Sequence, residues 1–339
     1  MNITIKDVAK KANVSISTVS NVINKSKWVS PEVSERVLEV VKELGFIPNA
    51  IARSLIKKES LLIGVLIPGI ENPFTSIFVR VIEKELFKHN YTTLLCNTNL
   101  DTDIEFHYLK LLKEKYVDGV VLLTSNFQQK HIEFFEENSI PVLLASLTDK
   151  SKRFSSINID DYQAAYDATL KLIQLGHKEI AWLGGSLLSD HALQRFEGFK
   201  QALKDNGIAY FEDSFFESEE YTIQYGLEKG MEIFSKKNRP TAVLCISDMI
   251  AIGAIQAADK CGLRVPEDIS IMGFDDIPFA SAYRPGIATV RQPVYDLGIN
   301  AAQMLLQQIK EKESYKKEAR ILPHEIIMRG SCKNIENGE

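Results

Sequence analysis

What most constrains this chain is a series of short apolar runs. LLIGVLI (61–67), GVVLL (119–123), PVLLA (141–145), IAWLG (180–184), AVLCI (242–246) and ISIMGF (269–274) are each strand-length and lack the alternation of a strand with one wet face. Between them lie amphipathic stretches of helical period. One carries Ile77, Val81, Ile82 and Leu86; others fall near 103–115, 129–138, 161–175, 190–206 and 248–261. Thr92–Cys96 adds a further strand. Alternating β and α with strands buried on both faces predicts parallel sheets covered by helices on each side. The pattern restarts near Ile157, so two similar α/β subdomains with a cleft between them are expected. The long helix over 295–312 returns the chain to the first of them, and 319–330 reads as a closing strand pair.

The first 58 residues follow different rules. They carry ten Lys or Arg against five acids, whereas the rest of the chain carries 30 basic against 40 acidic residues. A small basic module joined to a large acidic body suggests a reader of polyanions. Thr4-Ile5-Lys6-Asp7 is a capping box, followed by an apolar face of Ile5, Val8, Ala9 and Ala12 that ends near Asn13. Ser15 caps a second helix with Ile16, Val19, Val22 and Ile23 at helical spacing. Ser30-Pro31-Glu32 opens a third, whose stripe of Val33, Val37, Val40, Val41 and Leu44 is terminated by Gly45. The first two helices are separated by so few residues that they must cross sharply, as in a helix-turn-helix.

The second helix is built from poor helix formers, ISTVSNVIN. Val19 and Ile23 are expected to bury, leaving Ser17, Thr18, Ser20 and Asn21 outward. Short hydroxyl and amide side chains suit close approach to phosphates and base edges.

ITIKDVAKKANVSISTVSNVIN and VSPEVSERVLEVVKELGFIPNAIARSL together resemble the headpiece of the LacI/GalR family of bacterial transcriptional regulators. IPGIENPF, INIDD, LIQLGHKEIAWLGG, RFEGFKQAL, CISDMIAIGAIQA and VPEDISIMGFDDIPFA resemble successive landmarks of that family's effector-binding domain, which has the periplasmic sugar-binding protein fold. The resemblance implies an all-α helix-turn-helix headpiece at 1–47 and a hinge helix with linker at 48–59. An effector-binding and dimerisation domain would span 60–332, ahead of a tail at 333–339. Within that domain, subdomain 1 would take about 60–160 and 290–320, and subdomain 2 about 161–289 and 321–332.

By the same resemblance Ile16 and Ser17 help select the operator and Asn21 is a third reader. The family usually has Arg at that position, suited to guanine; Asn suits adenine, so a different operator half-site is expected. Thr4, Ser15, Thr18, Ser20 and Asn24 complete the candidate DNA contacts of the headpiece. Asn49 would cap the hinge helix, Ala52 would allow close approach, and Leu55 would wedge into a minor-groove step. Near-palindromic double-stranded DNA, a small-molecule effector and a second copy of the chain are the implied partners. No leucine heptads follow the last strands, so a dimer is expected rather than a tetramer.

Ligands of open α/β sheets sit outside the carboxyl ends of the strands. Asn72, Phe74, Ser125, Ser146, Asp160, His191, Tyr221, Asp248 and Asp275 fall in such places, and the family pattern adds Arg195. Mostly hydrogen-bonding groups with two aromatics, they suit a sugar, sugar acid or phosphosugar; the alternatives are helix capping for Asp160 and Asp248, core packing for Phe74 and Tyr221, and a helix-surface ion pair for Arg195. No GxxxxGK[ST], GxSxG or HExxH occurs, the six histidines show no metal spacing, and the four cysteines form no CxxC pair. Neither an enzyme, a cofactor nor a metal is therefore expected. With no apolar run of about 18 residues and no signal-peptide core at MNITIKDVAKK, a cytoplasmic, nucleoid-associated protein that avoids the membrane is the expectation.

Overall fold

Thr4 starts the first helix by donating its backbone N–H and its hydroxyl to Asp7 Oδ2, at 2.8 and 2.7 Å. These bonds pull the Asp7 carboxyl below its usual range. In the computed structural model, which describes residues 3–24, 26–46, 59–124, 127–147, 152–187, 189–209, 215–216 and 221–335, this helix is α1 (Ile5–Ala12). Asn13 stops it in the left-handed conformation with φ 50°. α2 (Ile16–Asn24) and α3 (Pro31–Leu44) follow, and Gly45 closes α3 at φ 61°, where a Cβ would be strained. Val8, Ala9, Ala12, Val19, Val22, Val37 and Val40 form the small core. Val22 is buried there, and Ile23 is only partly covered.

The chain divides into a unit at 1–60 and a larger one at 61–339. The second contains two six-stranded sheets. In the first sheet the order is Ala319–Leu322, Ser155–Ile159, Val142–Ala145, Gly119–Leu122, Leu62–Ile67, Thr92–Asn97, with every pairing parallel. In the second the order is Glu325–Ile327, Ala288–Arg291, Ser270–Asp275, Ala242–Cys245, Ile180–Leu183, Phe215–Phe216; only the first pair is antiparallel. The two strands within 319–330 therefore do not pair with each other, as the sequence suggested, but close one sheet each. Pro323, which has no N–H to offer a ladder, lies between them.

The chain crosses between the sheets at three short connections among the described residues. These are Asp160, ahead of α4 (Asp161–Gln174); Gln292-Pro293, ahead of α5 (Val294–Glu311); and Pro323-His324. Helices cover both faces of each sheet. Trp182, the largest fully buried side chain, packs against Phe196 and Phe199 and donates its indole N–H to the Gly184 carbonyl. His177 bridges Thr241 and Ser270, each 3.0 Å away, and is held neutral by burial, which pushes its pKa down. It is a strut, not a ligand. Among the described residues no helix is long and apolar enough to cross a membrane, and no cluster of His, Cys, Asp or Glu is arranged for a metal ion.

Candidate functional site

The headpiece offers one outward face. Ser15 Oγ accepts the Thr18 N–H at 3.0 Å and shares hydrogens with the Ser17 and Thr18 hydroxyls at 2.7 and 2.8 Å. It is an N-cap, and such a cap stabilises a helix by about 1 kcal/mol. Capped in this way, a sequence of weak helix formers holds its shape against the Val core. Ile16 is 46% exposed, Ser17 is exposed, and Thr18, Ser20, Asn21 and Asn24 are half-buried. Asn24 Nδ2 donates to Ser20 Oγ at 3.2 Å, and Asn21 Oδ1 accepts the Ser26 hydroxyl at 2.9 Å. Thr4 caps α1, its hydroxyl engaged by Asp7. Asn49, Ala52 and Leu55 of the expected hinge lie outside the described residues, as does Ser125.

The second constellation lies where the two sheets face each other. A cavity of about 290 Å³ is lined by Ser146, Leu147, Asn158, Ile159, Asp160, Asp161, Tyr162, Asp190, His191, Gln194 and Ile321. Beside it stands Arg195, on the helix Asp190–Asp205 and only 5% exposed. Its Nε donates to Asp161 Oδ1 at 2.7 Å and its Nη1 to the Ile246 carbonyl at 3.0 Å. Asp275 Oδ1 lies 4.0 Å from Nη1, and the guanidinium sits 3.6 Å over the Phe274 ring. Asp275 also accepts from Gln292 Nε2 at 2.7 Å and from the Asn72 side chain, joining the subdomains across the cleft. Its backbone, at φ 111°, adopts a conformation rare for L-residues.

Burial dominates the electrostatics here. It raises the Asp161 carboxyl and lifts Asp275 to about 6, while Arg195 pulls both down. His191 hydrogen-bonds Ser189 Oγ at 2.9 Å and Tyr221 Oη at 3.1 Å. Burial, and then Arg195, push its pKa to about 3, so it is a neutral ring that donates through one nitrogen and accepts through the other. Burial pushes the Tyr221 phenol up, keeping it protonated.

Two expected cleft residues are placed elsewhere. Phe74 is 7% exposed and stacks with Phe78 in the core, because Asn72 caps the helix Pro73–Phe87 through the Phe74 N–H and turns the ring inward. Asp248 is fully buried, accepting the Ile277 N–H at 2.8 Å and the Thr289 hydroxyl at 2.6 Å. It fits because Gly273 has no side chain: a Cβ there would stand 2.2 Å from Asp248 Oδ1. Asp248 ties the start of the helix Asp248–Lys260 to the strand Ala288–Arg291 and to the Ile277 backbone, and is turned away from the cleft. Replacing it with alanine leaves the Ile277 N–H without its acceptor and the Thr289 hydroxyl with only a long bond to the Val290 carbonyl, and thermal unfolding should show a loss of about 1–3 kcal/mol. Asp160 caps α4 through the Gln163 N–H at 2.9 Å and remains exposed at the cavity. Ser146, at φ 57°, lines the same wall. Sequence reasoning missed Asp161, Gln292 and Gln194. Asp161 was legible only as the second acid of INIDD.

Two family models match the chain. "Bacterial regulatory proteins, lacI family" covers residues 4–49, and "Periplasmic binding proteins and sugar binding domain of LacI family" covers residues 60–330. The chain belongs to the LacI family. It is a DNA-binding transcriptional regulator, with a helix-turn-helix headpiece and a periplasmic-binding-protein-like body. This LacI-family chain is 37% identical to catabolite control protein A of Priestia megaterium, over 98% of its own length and all of that protein's. It is 36% identical to the ribose operon repressor of Halalkalibacterium halodurans, over 99% of each. The crystal structure of the Lac repressor dimer bound to operator and the anti-inducer ONPF superposes with a TM-score of 0.87 at 28% identity, over 98% of this chain and all of that one.

Proposed function

We propose that this regulator represses transcription as a homodimer on a near-palindromic operator, and that a neutral, polyhydroxylated small molecule in the cleft controls its affinity. The dimer and the operator come by likeness to the Lac repressor complex, and repression from relatives such as the ribose operon repressor. Ile16, Ser17 and Asn21 would meet base edges, with Asn49, Ala52 and Leu55 acting at the operator centre. The effector would meet Ser146, Asp160, His191, Arg195, Tyr221, Asn72 and Asp275. Effector binding would change the angle between the subdomains and so the DNA affinity, by a coupling that must be reciprocal.

The effector's charge class rests on one observation: Arg195 is already matched by Asp161 and Asp275, while Asp160 and Asp190 line the cavity. A carboxylate or phosphate arriving there would meet acids, and would have to displace Asp161 to reach the guanidinium. Hydroxyls meet no such cost, since carboxylates accept from them and Arg195, His191 and Tyr221 can share hydrogens with them. Of the three classes read from the sequence, the neutral sugar is therefore favoured over the sugar acid and the phosphosugar.

A thermal-shift and DNA-affinity series with matched ligands tests this, each aldose beside its aldonic acid and its phosphate. At about a hundred times its dissociation constant a true effector should stabilise the body by about 2.7 kcal/mol, and only a neutral member should do so. A phosphate or carboxylate that shifts both readouts more than its neutral parent rejects the assignment.

A further inference from the structure

Two neighbouring acids follow Phe274, and their carboxylates meet different partners. Asp275 reaches Gln292 Nε2, the Asn72 side chain and, at 4.0 Å, Arg195. Asp276 is held by two arginines instead. Its Oδ2 accepts from Arg291 Nε and its Oδ1 from Arg329 Nη2, each at 2.7 Å, and its side chain is 10% exposed. Both guanidiniums are themselves fixed. Arg291 Nη1 lies 2.9 Å from Glu325 Oε2, and Arg329 Nη1 donates to the Ile287 carbonyl at 2.8 Å. One residue further on, the Ile277 N–H donates to the buried Asp248 carboxylate at 2.8 Å.

The corner that carries these acids is strained. Asp275 has φ 111° and Asp276 has φ 57°, two successive non-glycine residues at positive φ. Aspartate tolerates the second value better than most residues; the first persists only where the surroundings enforce it. Enforcement comes from the chain just beyond Asp275, where two charge-assisted bonds grip Asp276 and a buried bond grips Ile277. Arg291 also stands opposite Asp275 in the parallel strand pair. Consecutive residues of the crossing, Arg291 and Gln292, therefore hold consecutive acids of the corner.

We propose that Asp276 is a positioning residue for the effector site: clasped by Arg291 and Arg329, it keeps Asp275 in its strained conformation, with the carboxylate in the cleft, before any effector arrives. A hydroxyl that bonds Asp275 then finds its acceptor already aimed, and binding need not order it. Without the clasp the Asp275 backbone relaxes and its carboxylate turns toward water. This inference rests on the reading of the cleft as the effector site.

The test labels the full-length protein with aspartate carrying carbon-13 at the side-chain carboxyl, and assigns the Asp275 signal by its loss in D275N. In the wild type this carboxyl should titrate at about 6, where burial places it. In D276A it should titrate close to 3.8, the ordinary value, with D276N between the two. Arg195, Asp161, Asp248 and Tyr221 are the titratable groups around Asp275, and neither variant alters them. A merely structural role for Asp276 would lower stability and leave this midpoint where it was. R291M removes one grip at a side chain 44% exposed, and should move the midpoint part of the way even if D276A does not fold. Calorimetric titration with D-ribose, D-glucose and D-galactose supplies the second readout. If Asp275 faces the cleft only about a tenth of the time in D276A, affinity for a sugar that bonds it falls about tenfold.

An Asp275 midpoint unmoved in D276A, or in R291M where D276A does not fold, overturns the inference. So does unchanged sugar affinity in a D276A whose midpoint has moved. A wild type that binds none of the three sugars rejects the neutral-sugar reading; the titration is read without ligand, so it still decides the clasp and keeps the two failures apart.

Discussion

Replacing Arg195 with leucine is expected to destabilise the body by about 3–5 kcal/mol, the usual result of leaving a buried charge without its partner. Two acids lose their counter-charge at once: Asp161, whose oxygen lies 2.7 Å from Nε, and Asp275 at 4.0 Å from Nη1, which keeps only its neutral partners Gln292 and Asn72. Arg195 also loses its seat over Phe274 and its bond to the Ile246 carbonyl. The deficit should depend on pH in a definite direction. Burial already raises both carboxyls, Asp275 to about 6 from 3.8, so the folded chain binds protons more tightly than the unfolded one. Such a group costs stability above its folded pKa and regains it as pH falls toward the unfolded value. Without the guanidinium both carboxyls rise further. Urea titrations of the two proteins should differ most near about pH 8 and converge toward about pH 5. A deficit independent of pH would mean that the loss is one of packing alone. R195K should recover part of the stability, but not the bonds to Asp161 and the Ile246 carbonyl together, nor the contact with Phe274.

Gly253→Ala should also unfold the body early. The helices Ile223–Phe234 and Asp248–Lys260 approach so closely that a Cβ on Gly253 would stand 2.1 Å from the Ile223 carbonyl oxygen and 2.6 Å from the Leu227 nitrogen. Gly226 makes the reciprocal approach, 2.2 Å from the Ile250 carbonyl oxygen. Alanine gains about 1 kcal/mol in helix propensity. Overpacking costs about 1–3 kcal/mol or more, and here the obstacles are backbone atoms that cannot rotate away. The steric effect wins, for a net loss of about 2 kcal/mol or more in thermal unfolding. The headpiece should keep its own helical signal, because its core shares no residue with this contact. Unaltered stability in G253A would show that the two helices can separate at little cost.

The same pair of helices shows where sequence reading stopped. Ile223–Phe234 was not anticipated, since Gly226 and Gly230 within one short segment argue against a helix on propensity. They are there for the neighbour, which no local pattern reveals. Ser155–Ile159 was missed as a strand for a similar reason: SSINI has only two apolar residues, and burial of its serines needs partners far away. Ser155 meets Tyr315 and the Glu318 N–H. The headpiece was legible almost residue by residue because its signals are local: caps, a helix-stopping Gly45 and an apolar stripe. In the cleft, position was legible and partnership was not. In INIDD the capping role of the first acid was legible as an alternative, but nothing says that the second turns to meet an arginine 34 residues away. Phe74 and Asp248 lie in the first turns of the helices that follow their strands, and whether such a side chain faces the cleft or the core depends on packing that only the assembled fold decides.

Three crossings between the sheets also restrict how the body can move. A single linker would allow tumbling; three crossings leave the two sheets much less freedom to turn against each other. Each crossing bears a residue fastened to something else: Asp160 to the next helix, Gln292 to Asp275, and His324 to Asp167 at 3.0 Å. Asp275 thus touches, through Gln292, one of the three points at which the sheets are joined.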